Sequence, residues 1–201
     1  MRLHVAIRNC PVTEKPNLTP LDWTIAGIAA LAEGGIDAVR VERLAKQLGA
    51  SKGSFYWHFA DRRSLLDAML ALWEREGTAD VIAQVADIAD PAERLLRVTM
   101  EALEARTRGI DVAHAEAALR SWAAQDATVA ARFVRVEQAR IAFLSGELAA
   151  LGYAPAEAQR LGKALYLTLI GLYAARRYAS ELADDGALMA VLEQMIAAAP
   201  R

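Results

Sequence analysis

The 201-residue chain carries 23 basic and 25 acidic side chains, a formal charge of −2. That balance excludes a uniformly basic nucleic-acid coat and shifts attention to where the charges lie. Its length is enough to bury a core in one large or two small domains. The single cysteine, Cys10, excludes an intramolecular disulfide, and three scattered histidines offer no metal-ligand spacing, so neither a metal nor another cofactor is expected.

Alanine and leucine are abundant, while β-branched and aromatic residues rarely alternate at period two, so an all-α fold with no strands is predicted. The longest apolar stretches are short and interrupted. The amino terminus carries charges where a secretory signal would be apolar, which points to the cytoplasm.

Residues 1–18 hold two prolines and no helical period and read as a flexible arm. Thr19, Pro20 and Asp22 then supply an N-cap, a first-turn proline and an acidic third position, opening a helix that Gly34 and Gly35 end. A short second helix runs from Val41 to Leu48 and stops at Gly49. Ser51 caps a third, reaching Phe59, and Asp61 caps a fourth with Leu65, Leu66, Met69, Leu72 and Trp73 at helical spacing. Asp90 and Pro91 open a fifth helix extending to Arg106. A break near Gly109 precedes a sixth from Asp111 to Ala124, and Asp126 caps a seventh that ends at Leu151. Pro155 starts an eighth, read through Ala183, and residues 185–198 form a ninth. The division expected is a helix-turn-helix domain over 19–64 and a larger helical domain over 65–201.

Charge is uneven along these elements. Up to Ser64 there are nine basic and six acidic residues, a local excess of three, and five of the nine fall between Arg40 and Arg62. On a helical wheel referenced to Phe55, Phe59 lies about 40° away on the inward side, whereas Gly53 and Trp57 lie opposite and Ser54 and Tyr56 on the flanks. A helix this short has no folding reason to show tryptophan and tyrosine to solvent. A major groove supplies one, since it accepts a helix and offers base-edge hydrogen bonds and thymine methyls. Ser54, Tyr56 and His58 can bond to bases or phosphates, and Lys52 and Arg62 can neutralise phosphates. Packing of Tyr56 and Trp57 against the first helix is the competing reading.

From Gly35-Ile36-Asp37 through Arg43-Leu44-Ala45 and Ser51-Lys52-Gly53-Ser54-Phe55-Tyr56-Trp57-His58-Phe59 to Asp61-Arg62-Arg63-Ser64-Leu65-Leu66, the chain resembles the DNA-binding domain of the tetracycline-repressor (TetR) family, over about residues 20–70. The resemblance implies a homodimeric transcriptional repressor bound to a pseudo-palindromic double-stranded operator. It places Lys52, Gly53, Ser54, Tyr56, Trp57 and His58 in the recognition helix, beside its cap Ser51, and Arg40, Arg43 and Arg62 near the backbone. Two positions depart from frequent family usage. Arg40 stands where a small hydroxyl residue often caps the second helix, and Arg62 replaces a frequent lysine. The resemblance further implies that the carboxy-terminal part binds a small effector and dimerises through its last two helices.

Met100, His114, Trp122, Phe133, Phe143, Tyr166 and Tyr173 are the candidates to line an effector cavity, although for each of them plain core packing is the favoured competing reading. Leu161, Leu165, Leu169 and Leu172, with Leu188, Leu192, Met195 and Ile196, form apolar stripes suited to a four-helix bundle across a two-fold axis. A DNA-binding regulator without a small-molecule effector and an all-helical enzyme are the alternative readings. No nucleophile elbow, phosphate loop or HExxH motif occurs, and Ser145 before Gly146 sits within a helix with no base implied.

Overall fold

The computed structural model describes residues 18–104 and 106–200, so the expected arm lies outside them except for Leu18. Helix α1 (Pro20–Gly34) begins at Thr19, whose hydroxyl accepts from the Asp22 N–H while the Asp22 carboxylate accepts from the Thr19 N–H at 2.7 Å. Gly35, at φ 71°, stops it. A 3₁₀ turn (Ile36–Ala38) leads into α2 (Val41–Gln47) and then α3 (Lys52–His58), where the Ser51 hydroxyl accepts from the Ser54 N–H at 3.2 Å. Asp61 and Ser64 exchange a reciprocal pair of cap bonds at the start of the next helix. That helix, α4, runs through residues 62–84. An α-helical part (Arg62–Glu74) passes into a π-helical segment (Arg75–Ala79) and then a last α-helical stretch (Asp80–Gln84).

Five more helices follow: α5 (Pro91–Leu103), α6 (Val112–Ala123), α7 (Ala127–Ala150), α8 (Pro155–Tyr178) and α9 (Asp185–Ala197). Among the described residues the fold is therefore nine helices, as the capping signals predict, with two corrections. α5 ends at Leu103, not Arg106, because the chain turns into a small hairpin in which β1 (Arg106–Thr107) pairs antiparallel with β2 (Ile110–Asp111). Arg108 and Gly109 at its tip both have positive φ, as a two-residue hairpin turn requires. Two-residue strands are too short to show alternation, which is why no strand is legible. The second correction is at α8, which stops at Tyr178 before a separate 3₁₀ turn (Ser180–Leu182).

Two apolar clusters hold the helices together. The first joins Trp23, Phe55, Phe59, Leu65, Met69 and Trp73 to Leu119, Trp122, Phe133 and Val136, so the four amino-terminal helices share one core with α6 and α7. The second gathers Leu95, Leu148, Tyr153, Leu165, Leu172, Leu188 and Leu192 where α5, α7, α8 and α9 meet. This changes the reading of the leucine stripes. Leu165, Leu172, Leu188 and Leu192 are buried inside the protomer, and Leu161, Leu169, Met195 and Ile196 pack against them. They fasten α8 and α9 to the body, leaving the opposite faces of those helices outward.

α7 and α8 approach closely at Gly162, where a Cβ would lie 2.5 Å from Ser145 Oγ and 2.9 Å from its backbone nitrogen. Gly162→Ala must push the two helices apart, and we expect a loss of about 1–3 kcal/mol in denaturant-induced unfolding. Wild-type stability in this variant would mean the helices separate freely.

Candidate nucleic-acid interface and internal cavity

The outer surface of α3 rests on a rigid aromatic base. Phe55 is fully buried, meets the Trp23 ring edge-on at 5.3 Å and stacks on Phe59 at 5.4 Å. With Phe55 fixed inward, the helical period turns the next two residues out: Tyr56 is 59% exposed and Trp57 89%. Tyr56 leans its ring on the edge of Phe55 at 5.2 Å, and Trp57 has no such support. Neither ring is buried. Ser54 and His58 are half-buried, and Lys52 and Gly53 are exposed. A Cβ at Gly53 would make only an ordinary contact with Ser51 Oγ at 3.5 Å, so packing within the protomer does not demand a glycine there.

The cations around this face are engaged with near neighbours. Lys52 pairs with Glu42 at 2.5 Å and Arg43 with Glu33 at 2.9 Å, while Arg40 Nε donates to the Asp37 carbonyl at 2.8 Å. Lys52 holds the Glu42 carboxyl below its ordinary value, chiefly through their hydrogen bond. Such exposed pairs contribute at most about 1 kcal/mol, so a phosphate can compete for the cation. Arg62 differs. Its Nε and Nη2 donate to the Val39 and Ile36 carbonyls at 2.6 and 2.7 Å, tying the start of α4 to the turn that precedes α2. We therefore expect Arg62→Met to cost about 1–2 kcal/mol and lower the melting temperature by several degrees. An unchanged melting temperature, with a salt dependence of duplex binding shallower by about one charge, would make Arg62 a phosphate ligand alone.

A second concave feature lies inside the helical body, a cavity of about 180 Å³ between α4, α5, α7 and α8. Phe143, Tyr166 and Tyr173 line it, together with Val98, Leu144, Leu165 and Leu169. The other four candidates lie elsewhere. Met100 is exposed on α5, and His114, in the first turn of α6, sits with Nδ1 2.9 Å from Asp111 Oδ1. Trp122 and Phe133 belong to the first core, where Phe133 stacks on Trp73 at 4.9 Å.

The polar floor of the cavity is legible only in three dimensions. Glu116 of α6, 4% exposed, accepts from Arg140 Nη2 and from the Trp73 indole N–H, both at 2.9 Å. Arg140 also donates to Thr78 Oγ1 at 2.9 Å and to the Gly77 carbonyl at 3.0 Å, and its guanidinium lies over the Trp73 ring, 5.5 Å from the centroid. It thereby holds the π-helical segment of α4, whose widened turn frees a carbonyl for it. Burial pushes the Glu116 carboxyl up, but the charge and hydrogen bond of Arg140, with Arg120 and Trp73, outweigh it and leave the group below its ordinary value. Burial raises the Tyr173 phenol, whose hydroxyl donates to the Ala102 carbonyl at 2.7 Å. The available signal is a charge in the apolar row of Val112, Ala113 and Leu119, where Glu116 stands three or four residues from each.

Residues 26–69 match the family model described as bacterial regulatory proteins, tetR family. The chain is 41% identical over 44 residues to the class A tetracycline repressor protein from transposon 1721 of Escherichia coli, a stretch that is 22% of this chain and 20% of that protein. It thus spans about a fifth of that relative's length. Over the whole chain the likeness is one of fold. A transcriptional regulator from Rhodococcus sp. Rha1 superposes with a TM-score of 0.73 at 22% identity, covering 90% of this chain and 96% of that one. A regulator from Saccharomonospora viridis in complex with choline gives 0.75 at 16% identity, covering 89% and 95%. Through residues 26–69, which hold α3 and its exposed rings, this chain is similar to the tetR family of bacterial regulatory proteins.

Proposed function

We propose that the chain is a transcriptional repressor that binds a pseudo-palindromic operator as a homodimer and releases it when a small effector occupies the internal cavity. The observation that carries the DNA-binding half is the solvent-facing Trp57 and Tyr56 on a short helix whose reverse side is locked into an aromatic core. In this reading α3 enters the major groove. Tyr56, Trp57, Ser54 and His58 meet base edges, Gly53 allows close approach, and Lys52, Arg43 and Arg40 exchange their protein partners for phosphates. The weighed nucleophile, Ser145, donates to the Ile141 carbonyl at 2.7 Å and faces Gly162 in the helix contact, a packing role.

The outward faces of α8 and α9 suit dimerisation better than the buried leucines do. Ala164, Leu167, Thr168 and Gly171 on α8 are exposed at helical spacing, as are Ala187, Ala190, Val191 and Gln194 on α9. Small side chains let paired helices approach closely, and a two-fold axis there builds a four-helix bundle that sets two α3 helices about 34–36 Å apart. Leu167→Glu is expected to give a monomer in analytical ultracentrifugation with its helix content intact. A persisting dimer would move the interface elsewhere.

Coupling between cavity and DNA has a physical route. α4 begins at the Asp61 cap beside α3 and reaches the cavity at Glu76, Gly77 and Thr78. Arg108 at the hairpin tip grips Glu76 through two bonds of 2.9 and 2.8 Å, and the hairpin touches α1. A ligand that favours another arrangement of these parts shifts the population of the DNA-competent state by its differential affinity. The Saccharomonospora viridis structure in complex with choline supports a small molecule for this fold. Selection from a random duplex library should enrich two half-sites about one helical turn apart. A flat isotherm against every duplex in dilute buffer would remove the reading.

A further inference from the structure

Most of the polar equipment of the cavity is already engaged within the protein. Arg140 is held by Glu116, Thr78 and Gly77. Both oxygens of Glu76 accept from Arg108. The Tyr173 hydroxyl bonds to Ala102, and the Tyr166 hydroxyl donates to Glu137 at 3.2 Å while accepting from Arg120 at 3.3 Å. Among its buried charged groups, Glu116 stands out. Oε1 takes two donors, but Oε2 is buried with no hydrogen-bond partner, its nearest cation being Arg120 at 3.5 Å. A buried acceptor on a charged group is costly to leave open.

Charge narrows what can meet that acceptor. Glu116 and Glu137 face Arg120 and Arg140, two carboxylates against two guanidinium groups, with ion pairs of 2.9 Å for Arg140 to Glu116 and 3.5 Å for Arg120 to Glu137. The inner cluster is thus balanced. A further charge of either sign brought in would be desolvated without a counterion. An anion finds Arg140 occupied, and a cation finds the remaining lining carboxylate, Glu101, exposed. The walls are Val98, Phe143, Leu144, Leu165 and Leu169, which reward an apolar body.

We propose that the cavity selects a neutral, mainly apolar molecule carrying one hydrogen-bond donor, a hydroxyl or an amide N–H, which Glu116 Oε2 receives. This rests on the reading of the cavity as an effector site. Because Oε1 of the same carboxylate holds Trp73 of α4, the donor that completes Glu116 also acts on the helix leading to α3.

The test is a ligand-observed NMR titration of the full chain with five probes sharing one ring: toluene, benzyl methyl ether, benzyl alcohol, benzoate and benzylammonium. Benzyl alcohol should bind about tenfold more tightly than the ether or toluene, the margin of one hydrogen bond to a charged group. Its binding should vanish in Leu169→Trp, which fills the cavity without touching the polar floor. In Glu116→Gln its advantage over the ether should shrink, but the wild-type series decides even if that variant folds poorly. Tighter binding of benzoate or benzylammonium, or equal binding of alcohol and toluene, overturns the proposal and leaves the effector cavity standing. If none of the five binds while the selected duplex still does, the proposal and the effector reading fall together, with the DNA-binding reading intact.

Discussion

Replacing Trp57 with alanine is expected to weaken binding to the selected duplex by at least about a hundredfold while leaving the melting temperature unchanged. The two halves of this expectation come from one fact. The ring is 89% exposed, so its removal takes little from the protomer, and surface substitutions of that kind stay within about 0.5 kcal/mol. A recognition contact to a base edge is worth about 1–3 kcal/mol, and a two-fold dimer loses it twice. Fluorescence anisotropy of a labelled duplex measures the first half and calorimetry the second. Phe55→Ala is the informative contrast. It empties the centre of the aromatic base, costs about 3–5 kcal/mol, and loses the duplex by loosening the whole head. Wild-type affinity in the Trp57 variant would remove α3 as the reading element.

The difference between those two phenylalanine and tryptophan positions is what the sequence states most clearly. Helix starts are written locally, in Thr19, Ser51, Asp61, Asp90, Asp111 and Asp126, and each of these caps the helix that its position implies. The inward and outward faces of a seven-residue helix follow from its period. What the sequence does not carry is which of two partners covers an apolar stripe. Leu188 and Leu192 mark the buried face of α9 correctly, but that face meets α5 and α8 of the same protomer. The outward faces of α8 and α9 are built mostly of alanine, glycine, threonine and valine, with Leu167 and Gln194 among them, and look unremarkable on a wheel. The cavity was read from its aromatics, three of which line it, whereas its floor depends on a glutamate and an arginine 24 residues apart on different helices. The π-helical segment is illegible for a similar reason, because the contacts that hold it, from Arg140 to Gly77 and Thr78, come from across the fold.

Arg140→Met tests how much rests on that floor, and we expect a loss of stability as large as that of Phe55→Ala, about 3–5 kcal/mol. Methionine keeps the apolar stem but removes the guanidinium, so the penalty includes the charge it leaves behind: Glu116 stays buried with only Arg120 and the Trp73 indole to answer it. For a chain of this length the melting temperature should fall by roughly 10 °C. The dependence on pH distinguishes this cause from simple loss of packing. In the wild type the Glu116 carboxyl lies below its ordinary 4.5, so its contribution is present above that value and is lost as pH falls through the lowered one. In the variant, burial is no longer outweighed and lifts the carboxyl above 4.5. The folded form then binds the proton more tightly than the unfolded form, and the deficit, complete at neutral pH, should close as pH falls toward 4.5. Urea unfolding of both proteins between neutral pH and 4.5 measures the gap. A gap that holds constant across this range would show that Arg140 acts there by its bulk, and that Glu116 carries no charge for it to balance.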